Sequence, residues 1–471
     1  MSRLPDGWVE TTIGEIATNI ITGNTPSKQE QANYGNYIPF VKPPELNNNT
    51  IVTANDNLSE KGAKSARILP VNSTLVSCIG NLGKVGINKV PIAFNQQINA
   101  IVFPEEVDPH FGFYYCQSGS FRKRLEYLAS ATTIPIVNKS KFSTVTFCFP
   151  STPEQQRIIA KIEELFTKLD AGIAALQKAK ALLKQYRQSV LKAAVEGKLT
   201  EKWRTENAGR IEPASVLLER IQAERKQRLG SKYKPPKPVD SSNLPELPDG
   251  WVWATIDHIS NKITDGEHLR PKMVQEGIAF ISAKDVRNHG VVFDETLFVS
   301  EEDAIKFRQR CNPEKNDVLI VSRGATVGRS CIVNTDRIFC LLGSVILIKP
   351  HPDTSPNYLS IAVKSPSIQK ELIELSGSTA QQAIYIRDIR NQLVPIPLCA
   401  EQEVIAQEVA RLTSIIDESE QIIDAELKRS QSLRQSILKR AFEGKLVPQD
   451  PADEPASVLL ERIKKEKRNG Q

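Results

Sequence analysis

The chain lacks the features that would place it in several common classes of protein. Its seven cysteines are scattered and never occur as C-x-x-C, so neither structural disulfides nor a zinc site are expected. No apolar run approaches the roughly 20 residues that span a bilayer. Polar residues follow Met1, unlike the start of a signal peptide. The sequence therefore predicts a cytoplasmic protein that makes no contact with a membrane.

Motifs for catalysis are also lacking. The segment 80–85 is glycine-rich, but its spacing differs from that of the phosphate-binding loop G-x-x-x-x-G-K-[ST]. The segment 42–45, Lys-Pro-Pro-Glu, does not replace the N-P-P-[YF] motif of amino-group methylation. The five histidines show no paired spacing typical of metal ligands. We predict no catalytic residue, no bound metal and no cofactor.

One fragment resembles part of a nuclease site. Glu196 and Lys198, and again Glu443 and Lys445, form the E-x-K pattern of many metal-dependent nucleases. Both copies lie where a long helix is predicted to end, and no Asp precedes either copy at a short distance. Helix termination, with Gly197 as a C-terminal cap, is the favoured interpretation. A self-sufficient nuclease that uses Glu196 and Lys198 remains the alternative.

Charge gives only a weak indication of a polyanionic partner. The formal net charge is +6, and residues 200–239, with ten Lys and Arg against five Glu, account for most of it. A solvated linker explains this segment as well as a nucleic-acid contact does. Composition alone therefore does not decide between them.

What the chain does contain is a duplication. Residues 4–9 return as residues 247–252, residues 187–199 return in closely similar form as 434–446, and residues 212–221 recur unchanged as 454–463. Between these anchors the two copies diverge almost completely. An interval of about 245 residues is far too long for a solenoid repeat. The pattern indicates a duplicated module whose frame was kept while the rest was free to change.

Each copy contains a globular module followed by a long helix. From Glu154 to Ala193 apolar residues recur at heptad spacing, which predicts a helix with a coiled-coil seam. One row is Ile158, Leu165, Gly172, Ala179, Tyr186 and Ala193, and the other is Ile162, Leu169, Leu176, Leu183 and Val190. The matching stretch 401–443 is less regular, because Ser419, Glu426 and Ser430 fall on core positions. Each helix would be about 60–65 Å long, and each is the expected partner of the other.

The predicted fold class is mixed α/β: a pseudo-two-fold tandem repeat of two globular domains separated by two long antiparallel helices that form a coiled coil. In chain order we expect a first domain at 1–150, a spacer helix at 151–199, a short helix and Pro/Lys-rich linker at 200–246, a second domain at 247–398, a second spacer helix at 399–446 and a tail helix at 447–471.

The two modules carry polar segments at corresponding places. Residues 22–28 and 265–272 each lead into a strand and a basic loop, and each module then has a strand that enters a glycine-rich basic turn, at 80–84 and at 323–329. Arg, Lys, Asn and Gln read base edges or hold phosphates, and glycine lets a backbone approach a phosphate closely. An ordinary surface loop explains each turn taken singly. Recurrence in two otherwise dissimilar modules favours a nucleic-acid contact.

With these features the chain resembles the specificity (S) subunit of type I restriction-modification systems over nearly its whole length. The resemblance rests on the two Leu-Pro-Asp-Gly-Trp openings, the Gly-x-Thr-Pro and Asp-Gly-x-His-x-x-Pro segments, the Glu-Gln-Gln and Glu-Gln-Glu helix starts at Glu154 and Glu401, and the twin Glu-Gly-Lys-Leu ends. No single motif is decisive, but their order and duplication are specific.

The resemblance implies a subunit without catalysis of its own, whose two target-recognition domains each read one half of a bipartite, asymmetric target in double-stranded DNA. The paired helices would act as a spacer and dock two methyltransferase (M) subunits, which restriction and motor (R) subunits then join. Ile159, Phe166 and Leu182, beside the helix seam, are the candidate docking residues. The alternatives are a coiled-coil scaffold that does not bind DNA and a self-sufficient DNA-processing factor.

The candidate DNA-contacting residues are basic side chains in the polar segments and turns. In the first module they are Lys42, Lys64, Lys84, Lys139 and Lys141. In the second module they are Arg270, Lys272, Lys284, Arg287, Arg323, Arg329 and Arg387. Of the turn residues we expect Arg323 to read a base and Arg329 to hold a phosphate. Trp8 and Trp251 belong to the repeated frame and are expected to be core anchors.

Overall fold

The computed structural model describes residues 4–130, 134–269, 271–377 and 382–469. They form two compact units: one combines the described residues up to 177 with those from 423 onwards, and the other spans 178–422. Each unit therefore contains one of the two repeated modules together with segments of both long helices.

The first module consists of short strands and helices. Its strands are β1 (Val9–Thr12), β2 (Asn19–Thr22), β3 (Tyr34–Val41), β4 (Asn49–Ile51), β5 (Asp56–Leu58), β6 (Ile68–Leu69), β7 (Thr74–Ser77), β8 (Val85–Asn88), β9 (Ile92–Phe94), β10 (Ile98–Val102) and β11 (Thr146–Phe149). Its helices are α1 (Ile13–Ile16), α2 (Glu60–Ser65), α3 (Pro109–Cys116), α4 (Gly119–Leu128) and α5 (Lys139–Ser143), with 3-10 turns at Gln31–Asn33 and Pro43–Glu45.

Three helices lead to the second module: α6 (Thr152–Val195), α7 (Glu201–Glu206) and α8 (Ala214–Leu229), the last followed by a 3-10 turn at Gly230–Lys232. The strands of the second module are β12 (Val252–Thr255), β13 (Ser260–Asp265), β14 (Ile278–Ile281), β15 (Val286–Arg287), β16 (Gly290–Val291), β17 (Leu297–Val299), β18 (Val318–Val321), β19 (Ser330–Ile332), β20 (Phe339–Leu341), β21 (Val345–Pro350) and β22 (Leu393–Ile396). The remaining helices are α9 (Glu301–Arg310), α10 (Pro356–Lys364), α11 (Pro366–Leu375), α12 (Ile386–Asn391), α13 (Cys399–Phe442) and α14 (Ala456–Asn469).

The two modules share a common strand order, and each of the two sheets has one additional edge strand in the first module. One sheet has the order β2-β10-β7-β8-β4 in the first module and β13-β21-β18-β19 in the second, and the other has the order β5-β3-β9-β6 or β17-β14-β20. In both modules a two-stranded sheet, β1-β11 or β12-β22, joins the strand that opens the module to the strand that closes it. The expected repeat of two mixed α/β modules is confirmed.

The core of each module continues onto the long helices. In the first unit the ring of Phe442, at the end of α13, packs against Phe111 and Tyr115 with centroid distances of 5.4 and 5.1 Å. Ile158 and Ile162 of α6 are buried in the same cluster. Residues of α6 and α13 join the core of the second module in the same way. Burial against the modules stabilises helix segments that would be marginal in isolation.

A tryptophan anchors each module to the first turn of a long helix. Trp8 Nε1 donates to Glu154 Oε1 of α6 at 3.0 Å, and Trp251 Nε1 donates to Glu401 Oε2 of α13 at 2.8 Å. Both indoles are buried, which confirms the prediction that they are core anchors. The turns before them contain Gly7 and Gly250, whose φ angles of 77° and 81° suit glycine.

Both long helices end in the same glycine cap. Gly197 and Gly444 have positive φ, and the next residue donates its N–H five residues back, Lys198 to Ala193 and Lys445 to the carbonyl oxygen of residue 440. This is the Schellman geometry, so the prediction that Gly197 caps α6 is confirmed. Each cap also brings the E-x-K lysine onto the E-x-K glutamate, at 2.7 Å in the first copy and 2.9 Å in the second.

Burial along α6 differs from the heptad expectation in one of the two rows. The row from Ile162 to Val190 is buried or half-buried, but Gly172 and Tyr186 of the other row are exposed. Ile173 and Arg187, one position further along, are half-buried instead. A straight helix returns to the same face after about 7.2 residues and drifts out of a strict heptad row. The prediction was therefore wrong at positions 172 and 186.

Two of the candidate docking residues are covered by the chain itself. Phe166 is buried, with the Arg434 guanidinium 4.2 Å and the Tyr114 ring 5.8 Å from its centroid. Ile159 is buried as well, whereas Leu182 is 53% exposed. The interpretation of Ile159 and Phe166 as an open docking surface was wrong, because α3 and α13 supply apolar and cationic contacts that the heptad pattern of α6 does not reveal.

The carboxylate of Glu401 suggests a test of the anchor. It is fully buried and also accepts from Thr200 Oγ1 at 2.6 Å and from Arg204 Nη1 at 2.5 Å. Glu401→Ala would leave three donors without their acceptor, so we expect a loss of about 3–5 kcal/mol in the free energy of unfolding. Thermal unfolding of this variant should be compared with that of Glu403→Ala, which truncates an exposed glutamate of the same helix turn. Equal melting temperatures would contradict the anchor.

Candidate nucleic-acid interface

In each module a glycine of the polar segment lies very close to the backbone where two strands are connected. A Cβ added at Gly23 would lie 2.2 Å from the Asn95 carbonyl oxygen, and one added at Gly266 would lie 2.1 Å from the Leu341 carbonyl oxygen. The two glycines follow β2 and β13, which pair with β10 and β21 in matching registers. The predicted correspondence of the two polar segments therefore exists in the fold where they begin, at residues 22–23 and 265–266.

The glycine-rich turns also correspond. Gly80 N donates to Pro135 O and Gly324 N donates to Gln382 O, while Gly83 N and Gly328 N each donate to the last residue of the preceding strand, Ser77 or Val321. All four glycines have positive φ. Lys84 and Arg329 occupy equivalent positions, because their carbonyl oxygens accept from Ser77 N and Val321 N. The recurrence noticed in the sequence is thus a recurrence of backbone geometry.

In the second module the turn borders a cleft of about 330 Å³. The polar lining comes from Asp265, His268, Ser322, Arg323, Tyr385 and Arg387, and the rest from Gly343, Ile346, Ile384 and Ile386. The cleft therefore joins the end of β13, the turn after β18 and the start of α12. These elements are distant in sequence.

The charged side chains of the cleft differ in how closely they are paired with opposite charges. Asp265 is paired with His268 Nε2 at 2.8 Å and with the Arg310 guanidinium. The Arg387 side chain is 82% exposed, and its nearest carboxylate, Asp388, lies 3.6 Å from Nε. Arg323 is exposed, while its backbone bridges to Ala383. The cleft thus presents two guanidinium groups on its rim, and its half-buried carboxylate, Asp265, is already paired.

The equivalent loop of the first module carries hydroxyls and amides, and the Arg67 guanidinium donates to the Thr22 carbonyl oxygen at 2.6 Å. Thr22 Oγ1 donates to Asn99 Oδ1 at 2.6 Å, and Thr25 Oγ1 donates to Gln96 Oε1 at 2.5 Å. Asn138, the N-cap of α5, stands where Tyr385 caps α12 in the second module. The two modules therefore offer different chemistry on the same backbone frame.

The predicted residues of the first module are placed as follows. Lys42 is paired with Asp56, and Lys141 Nζ donates to the Leu128 carbonyl oxygen at 3.1 Å. Lys64 and Lys139 are exposed, and Lys84 is half-buried in the turn. Of these, Lys84 lies in the glycine-rich turn, and Lys139 opens the short helix that matches α12.

In the second module Arg323 and Arg387 are brought together at the cleft. Arg329 points away from it, with Nη1 3.4 Å from the Val286 carbonyl oxygen, and Lys284 Nζ donates to Glu295 O at 2.7 Å. Arg287 lies at the β15–β16 hairpin. Lys272 is exposed, and Arg270 lies outside the described residues.

Sequence reasoning missed Tyr385 and the pairing of His268 with Asp265. Tyr385 is 58% exposed beside Arg387, but nothing in its local sequence distinguishes it from an ordinary residue before a short helix. His268 lies in a segment that was singled out, yet its partner could be identified only from the loop geometry. Within the described ranges no cluster of His, Cys, Asp and Glu could hold a metal ion, and no helix is long and apolar enough to cross a bilayer.

Comparisons with known proteins add a family to this geometry. The family model described as type I restriction modification DNA specificity domain matches residues 5–184 and 249–429. The chain is 25% identical over 475 residues to the EcoBI specificity subunit of Escherichia coli, covering 98% of this chain and 93% of the relative. It is 25% identical over 487 residues to the EcoKI specificity subunit of Escherichia coli strain K12, covering 99% and 96%.

Two solved structures share the fold. A chain from a study of complex assembly and conformational transition of the type I R-M system has a TM-score of 0.68 at 18% identity, over 94% of this chain and 100% of that one. The HsdS subunit from Thermoanaerobacter tengcongensis has a TM-score of 0.50 at 17% identity, over 94% and 98%. At these identities the likeness bears on the fold alone.

The close approach at Gly266 generates a prediction. Gly266→Ala would force the loop that carries Asp265 and His268 away from the Leu341 carbonyl, at a cost of about 1–3 kcal/mol of stability. Gly172→Ala is the matched control, because its Cβ meets open space in the middle of α6 and should add up to about 1 kcal/mol. Melting temperatures that shift in the same direction would refute the steric argument.

Proposed function

Since the chain belongs to the family of type I restriction-modification DNA specificity subunits, we propose that its two modules are target-recognition domains that read the two halves of a bipartite, asymmetric DNA target. The first domain is assigned to residues 1–150 and the second to residues 247–398. The subunit is a non-catalytic component of the type I system. This function places it in the cytoplasm, where its DNA substrate lies.

One observation carries the proposal of two different half-sites: a common backbone frame bears different side chains. Gly23 and Gly266, like Gly80 and Gly324, fix equivalent loops. The side chains at those loops differ, with hydroxyls, amides and Lys84 in the first module and His268, Arg323 and Arg387 in the second. Since bases are read through donors and acceptors on side chains, equal frames with unequal side chains favour unequal half-sites.

We assign α6 and α13 to an antiparallel coiled-coil spacer. In the first unit Arg434 of α13 pairs with Asp170 near the middle of α6, and in the second unit Arg187 of α6 pairs with Asp417 of α13 at 2.6 Å. At the first contact α13 is close to its C-terminal end, and at the second contact α6 is close to its C-terminal end. Two antiparallel helices give this arrangement. A rigid spacer would fix the number of unread base pairs between half-sites, as geometry does in dimeric DNA-binding proteins.

The partners of this subunit would be double-stranded DNA, two methyltransferase (M) subunits and restriction (R) subunits. For the methyltransferase contact the exposed apolar residues of the long helices replace Phe166 as the candidates. In the second unit they are Leu182 and Tyr186 on α6 and Ile415 and Ile422 on α13, and in the first unit Leu433 on α13 is exposed as well. Residues four or seven apart share one helix face, so each helix presents an apolar strip.

The alternatives receive less support. In a nuclease that used Glu196 and Lys198, the two side chains would be free to bind metal and substrate. They are instead paired with each other at 2.7 Å beside the glycine cap of α6. A scaffold that does not bind DNA would not account for membership of a DNA-specificity family.

Exchange of one module tests the division of labour. Replacing residues 1–150 with the corresponding region of a relative should change one half of the methylated motif and leave the other half unaltered, because each half is read by its own side chains. Methylation-sensitive sequencing of cells that carry the hybrid and the parent subunits provides the measurement. An exchange that altered both halves, or the spacing between them, would refute independent reading.

The docking surface can be tested at Leu182. Leu182→Glu places a charge in the apolar strip of α6 and should reduce co-purification with the methyltransferase at least tenfold, since an unpaired charge is costly to bury. Gln188→Glu introduces the same carboxylate at an exposed position away from Leu182 and Tyr186 on the helix circumference. Light scattering gives the stoichiometry of both assemblies. An unchanged stoichiometry for Leu182→Glu would exclude this strip as the contact.

A further inference from the structure

We propose that the cleft of the second module reads a guanine through Arg323 and Arg387, so that the half-site bound by residues 247–398 contains a G·C pair at that position. The inference rests on the proposed DNA-reading function and deepens it, since it assigns a base and two side chains. It draws on three properties of the cleft: its free cations, its paired carboxylate and its hydrogen-bonded support.

The cations match the acceptors of guanine. In the major groove guanine presents two acceptors, O6 and N7, which can accept from one guanidinium or from one donor of each of two guanidinium groups. Arg387 is 82% exposed with one loose carboxylate contact at 3.6 Å, and Arg323 is exposed beside it. Arg329 does not line the cleft, and its Nη1 lies 3.4 Å from the Val286 carbonyl oxygen. Arg323 and Arg387 are therefore the guanidinium groups of this cleft with donors to offer.

The half-buried carboxylate of Asp265 does not oppose an electron-rich base edge. Asp265 is held between His268, at 2.8 Å, and Arg310. A free carboxylate at this place would repel O6 and N7 and would favour the amino group of cytosine. With two cationic or hydrogen-bonding partners already in place, Asp265 acts as a support for His268 and leaves the rim arginines to define the specificity.

Backbone hydrogen bonds hold the two segments that carry the arginines. Gly324 N donates to Gln382 O at 3.3 Å and Ile384 N donates to Ser322 O at 2.8 Å, on either side of the bridge between Arg323 and Ala383. Asp388 Oδ2 accepts from Tyr385 N at 2.9 Å and fixes the start of the helix that carries Arg387. The arginines thus project from two segments that are hydrogen-bonded to the same framework.

A phosphate contact is the other chemistry that two arginines could serve, and the shape of the cleft favours a base. Its floor is apolar, formed by Ile346 and Ile384, and the Tyr385 ring is 58% exposed at its edge. A flat base edge and its neighbours can contact such surfaces, whereas a phosphate gains nothing from them. In the first module Ile79 and Ser140 occupy the positions of Arg323 and Arg387, so this readout belongs to the second module alone.

The test uses the full-length chain and a pool of random duplexes from which its preferred motif is selected. Arg323→Ala and Arg387→Ala are compared with Arg390→Ala, which removes a half-exposed arginine from the same short helix outside the cleft. We expect each cleft variant to relax a guanine preference at one position in one half-site, by roughly 5- to 150-fold in affinity. The other half-site and the Arg390→Ala variant should keep the wild-type motif.

Base analogues then locate the contact. Replacing that guanine by 7-deazaguanine removes N7 and should weaken wild-type binding, whereas inosine keeps O6 and N7 and should not. A uniform loss on all sequences, with a salt slope lower by about one unit per arginine, would reassign the arginines to phosphates and overturn the proposal. A selected bipartite motif that both cleft variants leave unchanged would also overturn it. Failure of the wild-type chain to select any duplex would instead remove the DNA-reading function itself.

Discussion

The hydrogen bond between a module tryptophan and the first-turn glutamate of a long helix is the constraint on which the rest of the structure depends. It couples the turn that opens each module to the helix that follows its closing strand, through Trp8 with Glu154 and Trp251 with Glu401. Because β1 and β12 start directly after these tryptophans, the anchor sets where the module begins relative to the helix. Loops at the other end can then vary without moving the helix.

The two anchors are not energetically equivalent. Burial raises the pKa of Glu154, against the opposing effect of the hydrogen bond from Trp8. An acid whose pKa is raised on folding costs stability once pH exceeds its unfolded value, and the cost is complete above its folded pKa. At Glu401 the carboxylate instead gains Arg204 and Thr200 as additional donors. These donors come from the segment after α6, whereas at Glu154 the segment after α13 supplies Gln449.

Much of the fold could be predicted from the sequence because the segments that form the common framework occur twice in the chain. The duplicated openings, the glycine caps at 197 and 444 and the two runs of helical periodicity are local patterns with local causes. The burial of Phe166 was not predictable from α6, since it depends on Tyr114 and Arg434 from other elements. The cleft was only half predictable: Arg323 and Arg387 stood out by charge, but Tyr385 and the Asp265–His268 pair depend on tertiary contacts.

Comparison of the two copies distinguishes positions that the backbone fold requires to be glycine from positions whose side chain is free to change. Positions that must be glycine, such as 23 and 266, face backbone atoms at distances that no side chain tolerates, so both copies retain them. Positions 79 and 323 have equivalent backbone bridges but no such steric limit, and there one copy carries isoleucine and the other arginine. Backbone contacts therefore fix where a side chain stands, and leave its chemistry free. A recognition surface can change its target under those conditions without any change in the frame that carries it.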